Sequence, residues 1–134
     1  MNQLKHKLLA PSSIADSRVH GYSQGVLVTK GKKTLFTAGQ LAQDAKGKFV
    51  GGSFRQQYKM ALAGIDAVLK EAGATRRDVV KITTFLTDMK RDLKEFDKMT
   101  KEFFKGTMPA SSVVEVRALA FPDQVVEIEA VAVI

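Results

Sequence analysis

The last ten residues of the sequence, VVEIEAVAVI (125–134), alternate with period two and describe a strand whose two faces are unlike. Val126, Ile128, Ala130, Ala132 and Ile134 make one wholly apolar face, suited to a layer of helices. Val125, Glu127, Glu129, Val131 and Val133 make the other, which is half apolar and half acidic. A sheet face of that mixed character is commonly buried against another subunit. The chain is therefore expected to form an oligomer.

The preceding segments supply the layer that the apolar face needs. Ser53, with Gln56 three residues on, makes a capping box that opens a helix. Its apolar stripe runs through Phe54, Tyr58, Ala61, Leu62, Ile65, Val68, Leu69 and Ala72, and Gly73 is a natural stop. Residues 79–87, VVKITTFLT, are rich in β-branched side chains and read as a strand. Asp92 and Glu95 suggest a second capping box, opening a helix that ends near Gly106. Residues 24–29 and 33–38 alternate around KGKK and predict a β-hairpin. Pro109 breaks the chain before a strand over 111–118, and AFPDQ turns it. Strands with two helices between them, on short connections, imply one α+β domain over residues 1–134 with both helices on one sheet face.

Composition narrows the function. With 134 residues, 45% hydrophobic and 26% charged, the chain suits a single globular domain. It has no cysteine, which excludes thiolate catalysis and disulfides. The only early apolar run, Leu8–Ala10, is too short for a signal sequence, no later run approaches a membrane span, and a cytoplasmic setting is expected. The net charge of +7 raises the question of nucleic acid. Lys94, Lys98, Lys101 and Lys105 form one stripe opposite Leu93, Phe96, Met99, Phe103 and Phe104, with Glu95 and Glu102 diluting it. No exposed aromatics interleave for base stacking, so a solvated helix face is the better reading than a nucleic-acid footprint.

Candidate chemistry is sparse. His6 and His20 have no acid or second histidine at ligand spacing, so no metal site is expected. Asp44 and Asp88 read as turn residues. Glu127 and Glu129, about 7 Å apart on one strand face, either pair with Arg117 or Lys81 or provide a general base beside an interface pocket. FTAGQ (36–40) ends a strand at a glycine, which is either a simple bend or a place of close approach to the backbone. In PASSVVEVR (109–117) the alternation puts Ser111, Val113, Glu115 and Arg117 on one face. That row reads as a solvated surface, an ion-paired seam or a catalytic wall.

GYSQG (21–25), FTAGQ (36–40), EAGATRRDVVKITTFLTDM (71–89), PASSVVEV (109–116) and VEIEAVAV (126–133), taken in order, resemble the RidA/YjgF family of reactive intermediate deaminases, also catalogued as endoribonuclease L-PSP. The resemblance implies a chorismate-mutase-like α+β fold. It implies a homotrimer whose sheets pack around a central barrel, with small-molecule pockets in the clefts between subunits. Archetypal members hydrolyse enamines and imines such as 2-aminoacrylate to 2-keto acids and ammonia, without metal or organic cofactor. By the same resemblance Glu127 is the acid that positions or activates water, Gly39 offers its backbone amide, and Tyr22 and Gln40 line the site.

Three positions depart from the family pattern. Ser111 stands where the arginine of Pro-Ala-Arg-Ser grips a substrate carboxylate, Val113 where a cysteine often follows, and Ala38 where a serine usually precedes Gly-Gln. An arginine fork joins charge to two aligned hydrogen bonds, whereas a serine hydroxyl supplies one neutral bond. Losing even about 3 kcal/mol of charged contact lowers binding or catalysis on the order of a hundredfold. Arg117 lies six residues along, roughly 20 Å, too far to substitute. A neighbouring subunit's Arg18 or a lysine is left as the replacement. The readings are then an imine or enamine hydrolase of altered specificity, a non-catalytic metabolite-binding trimer, and, behind both, an RNA-directed activity.

Overall fold

The computed structural model describes residues 6–13, 16–20, 22–23, 25–31 and 33–134. Its centre is a four-stranded sheet formed by β3 (Thr34–Phe36), β4 (Val79–Leu86), β5 (Ala110–Glu115) and β6 (Val126–Val133), in the order β3-β6-β4-β5. β6 runs antiparallel to both of its neighbours, while β4 and β5 are parallel. Parallel neighbours need a crossover. Helix α2 (Met89–Phe103) provides it. Helix α1 (Phe54–Glu71) lies between β3 and β4 in the chain.

Both helices pack on the face predicted for them. Val126, Ile128, Ala130 and Ala132 of β6 join Val79, Ile82 and Leu86 of β4 in one buried cluster. From α1 come Phe54, Tyr58, Ala61, Leu62, Ile65 and Leu69, and from α2 come Phe96 and Met99. The start of α1 is as its sequence implies. Ser53 Oγ accepts from the Gln56 amide at 3.2 Å, and Gln56 Oε1 accepts from the Ser53 amide at 2.9 Å. Gly73, at φ +72°, ends it, and the Ala74 amide returns to the Leu69 carbonyl at 2.8 Å. Lys94, Lys98, Lys101 and Lys105 are all exposed, as a solvated stripe requires.

Among the described residues no helix covers the opposite sheet face. Register places Glu127 of β6 beside Phe85 and Val114, Glu129 beside Thr83 and Ser112, and Val131 beside Lys81 and Ala110. Phe36, on the edge strand, is 73% exposed.

Three local expectations are corrected. The hairpin does not form: β2 (Gly25–Val28) pairs antiparallel with β1 (His6–Leu9) in a separate two-stranded sheet, and β3 pairs with β6. Between them Gly31, at φ +152°, lies so close to Val133 that a Cβ would overlap it. The Lys33 and Ile134 backbones exchange hydrogen bonds there, so non-local pairing with β6 replaces the local turn. Asp92 does not open α2. Asp88 is the N-cap, accepting from the Arg91 amide at 2.9 Å, and Asp92 is buried in the first turn with both oxygens on Arg91. Strand β5 stops at Glu115, so Arg117 lies beyond the alternating row.

Candidate functional site

The residues singled out from sequence form two groups in one chain. The first is built on Glu127. Between the Phe36↔Val131 pair and the Gln40↔Ile128 bridge, four residue steps on one strand face three on the other. The extra residue is a bulge, a device that re-aims side chains at the margin of a sheet. Gly39 sits within it, and the Glu127 carboxylate fills the space beside it. A Cβ on Gly39 would stand 2.5 Å from Glu127 Oε2 and 2.6 Å from its Cδ. The glycine in FTAGQ therefore marks a close approach, and what approaches is the acid.

Two buried glutamines hold this arrangement. Gln57, on the inner face of α1, donates to the Gly52 and Asp123 carbonyls and accepts from the Val125 amide, all at 2.9–3.0 Å. It thereby ties the start of β6 to the helix. Gln124, 2% exposed, directs its Nε2 at the Val126 carbonyl (3.3 Å) and at Glu127 Oε1 (3.4 Å). Neither was read from sequence as functional. The available signal was Gln57 itself, a polar residue three places after Phe54 on an otherwise apolar stripe.

The second group surrounds a cleft of about 330 Å³ between α2 and β5. Tyr22, Ser111 and Val113 line it, together with Phe96, Asp97 and Thr100 from α2. Tyr22 is held there by its neighbour. The Ser23 amide donates to the Pro109 carbonyl at 3.2 Å, its hydroxyl donates to the Met108 carbonyl, and Ser23 bridges Ala110 in parallel register. Thr100 is fixed from behind by the Tyr58 hydroxyl, 2.6 Å from its Oγ1. Burial pushes the Tyr58 phenol far above its usual range, so it stays neutral.

The two groups lie on opposite faces of the sheet. Ser111 and Val113 share the helix-side rows with Ile82 and Thr84, whereas Glu127 shares the open-side row with Phe85. Ala38 is exposed. Gln40 turns the other way from Glu127, its Oε1 where a Cβ on Gly64 of α1 would meet it at 2.6 Å, while its backbone pairs with Ile128.

The row in PASSVVEVR resolves into separate uses. Glu115 accepts from the Met89 amide at 2.8 Å and so helps cap α2. Lys81 donates to Ser112 at 2.8 Å. Among the described residues Glu127 and Glu129 enter no ion pair. Arg18 is engaged as a fork by Asp16, at 2.9 and 2.8 Å, and that contact holds the Asp16 pKa down at about 2.

Comparison with known proteins bears directly on this geometry. Residues 14–134 match the family described as Endoribonuclease L-PSP. The chain belongs to the RidA/YjgF family. Among its RidA/YjgF relatives, the 2-iminobutanoate/2-iminopropanoate deaminase of Bos taurus is 36% identical over 134 residues, covering 99% of this chain and 93% of the bovine protein. The Rid-family protein YyfB of Yersinia pestis is 33% identical, with a TM-score of 0.90 over 97% of this chain and 99% of that one. RidA of the Antarctic bacterium Psychrobacter sp. PAMC 21119 is 32% identical, with a TM-score of 0.71 over 84% of this chain and 88% of its own. The chorismate-mutase-like α+β fold is thus that of RidA/YjgF proteins. Among the described residues no helix is long and apolar enough to cross a membrane.

Proposed function

We propose that this RidA/YjgF protein is a homotrimer that hydrolyses small imines in clefts between subunits, with Glu127 directing the attacking water. The observation that carries the reading is the apposition of Glu127 and Gly39. A carboxylate held against backbone beside a bulge can orient a water and accept its proton. Among the described residues the Gly39 amide donates to no acceptor, so it is available to a ligand. The relatives named as 2-iminobutanoate/2-iminopropanoate deaminases support the reaction class.

The chemistry balances without a cofactor. Water adds to the iminium carbon, Glu127 takes the water's proton, and a carbinolamine forms. Glu127 returns the proton to nitrogen, the C–N bond breaks, and a carbonyl compound and ammonium leave. The placement of the two residue groups on opposite sheet faces supports an inter-subunit site, because Glu127 of one copy and the Tyr22–Ser111–Val113 cleft of another need not share a chain. Ser111 in place of the arginine gives the altered specificity.

The test is ammonia and keto-acid release from enzymatically generated imino acids, with wild type, Glu127→Gln and Ser111→Arg side by side. Turnover in wild type or Ser111→Arg that disappears with Glu127→Gln supports the assignment. Full activity in Glu127→Gln overturns it. A second reading, a non-catalytic metabolite binder, is favoured by Ser111 alone, and is supported if a cleft ligand binds and is recovered unchanged.

A further inference from the structure

Gln57 and Gln124 are both buried beside the start of β6, and they are used differently. Gln57 is satisfied at both ends of its amide. Its Nε2 donates to the Gly52 and Asp123 carbonyls at 2.9 Å, and its Oε1 accepts from the Val125 amide at 3.0 Å. It thereby fixes the backbone on either side of Gln124. Gln124 points its Nε2 at the Val126 carbonyl and at Glu127 Oε1, at 3.3 and 3.4 Å, while its own Oε1 is buried with no hydrogen-bond partner among the described residues. Turning the amide over would set that oxygen against two acceptors, so the orphan is built in. A buried acceptor without a partner costs stability, and one long bond to the Val126 carbonyl does little to offset it. The use of a glutamine here lies with Glu127. Among the described residues Gln124 donates the one hydrogen bond that the Glu127 carboxylate receives. Catalytic hydrogen bonds are often long in unliganded enzymes and tighten in the Michaelis complex.

We propose that Gln124 is a positioning residue for the hydrolysis: it holds Glu127 Oε1, and so leaves Oε2, the oxygen against Gly39, to take the proton of the attacking water. This rests on the hydrolysis reading above. A neutral donor suits the task. A lysine or arginine in its place would form a charge-assisted pair with the carboxylate and make it a weaker base. The amide sets the direction of the carboxylate without pairing its charge. Oε2 receives the water's proton as the carbinolamine forms and returns it to nitrogen as the C–N bond breaks, while the Gln124 N–H stays on Oε1 throughout.

The test replaces each glutamine by methionine, which has similar length and no polar hydrogen. Kinetics are measured in the background, wild type or Ser111→Arg, that releases ammonia from enzymatically generated imino acids. Gln124→Met is expected to lower kcat on the order of tenfold or more, to leave KM within about twofold, and to keep or raise the melting temperature, because the orphaned acceptor goes with it. Gln57→Met, which breaks all the bonds of a satisfied amide, is expected to lower the melting temperature. Full kcat in Gln124→Met overturns the proposal. So does a lower kcat with a fall in melting temperature as large as that of Gln57→Met, since Gln124 would then be a structural residue. A crystal structure of Gln124→Met gives a readout independent of turnover: Glu127 should leave its place against Gly39, and an unmoved carboxylate overturns the proposal. If neither background releases ammonia, the hydrolysis reading falls, and the same crystal structure still decides whether Gln124 holds Glu127.

Discussion

The carboxylate of Glu127 occupies the space that any side chain on Gly39 would claim, with Oε2 2.5 Å from the position of the missing Cβ. Gly39→Ala must therefore move the acid. A displacement of about 1 Å in a reacting group costs on the order of a hundredfold in rate. We expect Gly39→Ala to lose roughly that factor in kcat with a melting temperature close to wild type, read by steady-state ammonia release and calorimetry. Retention of full kcat would show that the acid acts from elsewhere.

Tyr58 and Thr100 share a buried hydroxyl contact that backs the α2 wall of the cleft. Tyr58→Phe leaves the Thr100 hydroxyl without that partner, at a cost of about 1–3 kcal/mol. Adding Thr100→Val removes the orphaned group and should recover part of that loss. A double-mutant cycle in urea measures it, and strictly additive effects would mean the two hydroxyls are not coupled.

The proposed assembly places its contact on the sheet face that no described helix covers. Phe36 is largely exposed at its edge and Val131 is partly buried beside it. Phe36→Glu or Val131→Lys should reduce the mass in solution to that of one chain, as measured by light scattering. An unchanged mass in both would place the contact between copies on another surface.

His6 ties stability to pH. It is 5% exposed, and neither ring nitrogen has a hydrogen-bond partner among the described residues. Burial lowers its pKa below 6.5, opposed by Asp78 and assisted by Arg77. The unfolded chain thus binds the proton first. The stability from neutral His6 is complete above about pH 6.5, is lost as pH falls from there to the folded-state pKa, and is level below it. Denaturation midpoints between pH 5 and 7.5 should show this slope in wild type and a shallower one in His6→Leu.

Much of the architecture was legible because local signals carried it. The Ser53–Gln56 box, the α1 stripe and the two faces of β6 are each set by spacing within one segment. Partner choice was not, since alternation in residues 24–38 says strand but not which strand lies beside it. The start of α2 was misplaced because Asp92 and Glu95 imitate a capping box inside a helix already capped by Asp88. Alternation and the strand-ending glycine drew attention to Glu127 and Gly39, family resemblance chose between their readings, and their contact is a product of the bulge. Phe96 and Thr100 look like core positions from periodicity, and Asp97 like one more charge on an amphipathic helix. Only the packing of α2 over β5 shows that this side of the helix also walls a cleft.

The position of β6 has a consequence for biosynthesis. The last strand in chain order pairs with β3 on one side and β4 on the other, and without it the four-stranded sheet falls into separate pieces. Until β6 is made, β3 has no partner strand and the apolar faces of α1 and β4 lack part of their covering layer. Contacts between distant segments also slow folding. A nascent chain that lacks Val126–Val133 would therefore expose apolar surface of α1 and β4 that β6 covers in the finished fold.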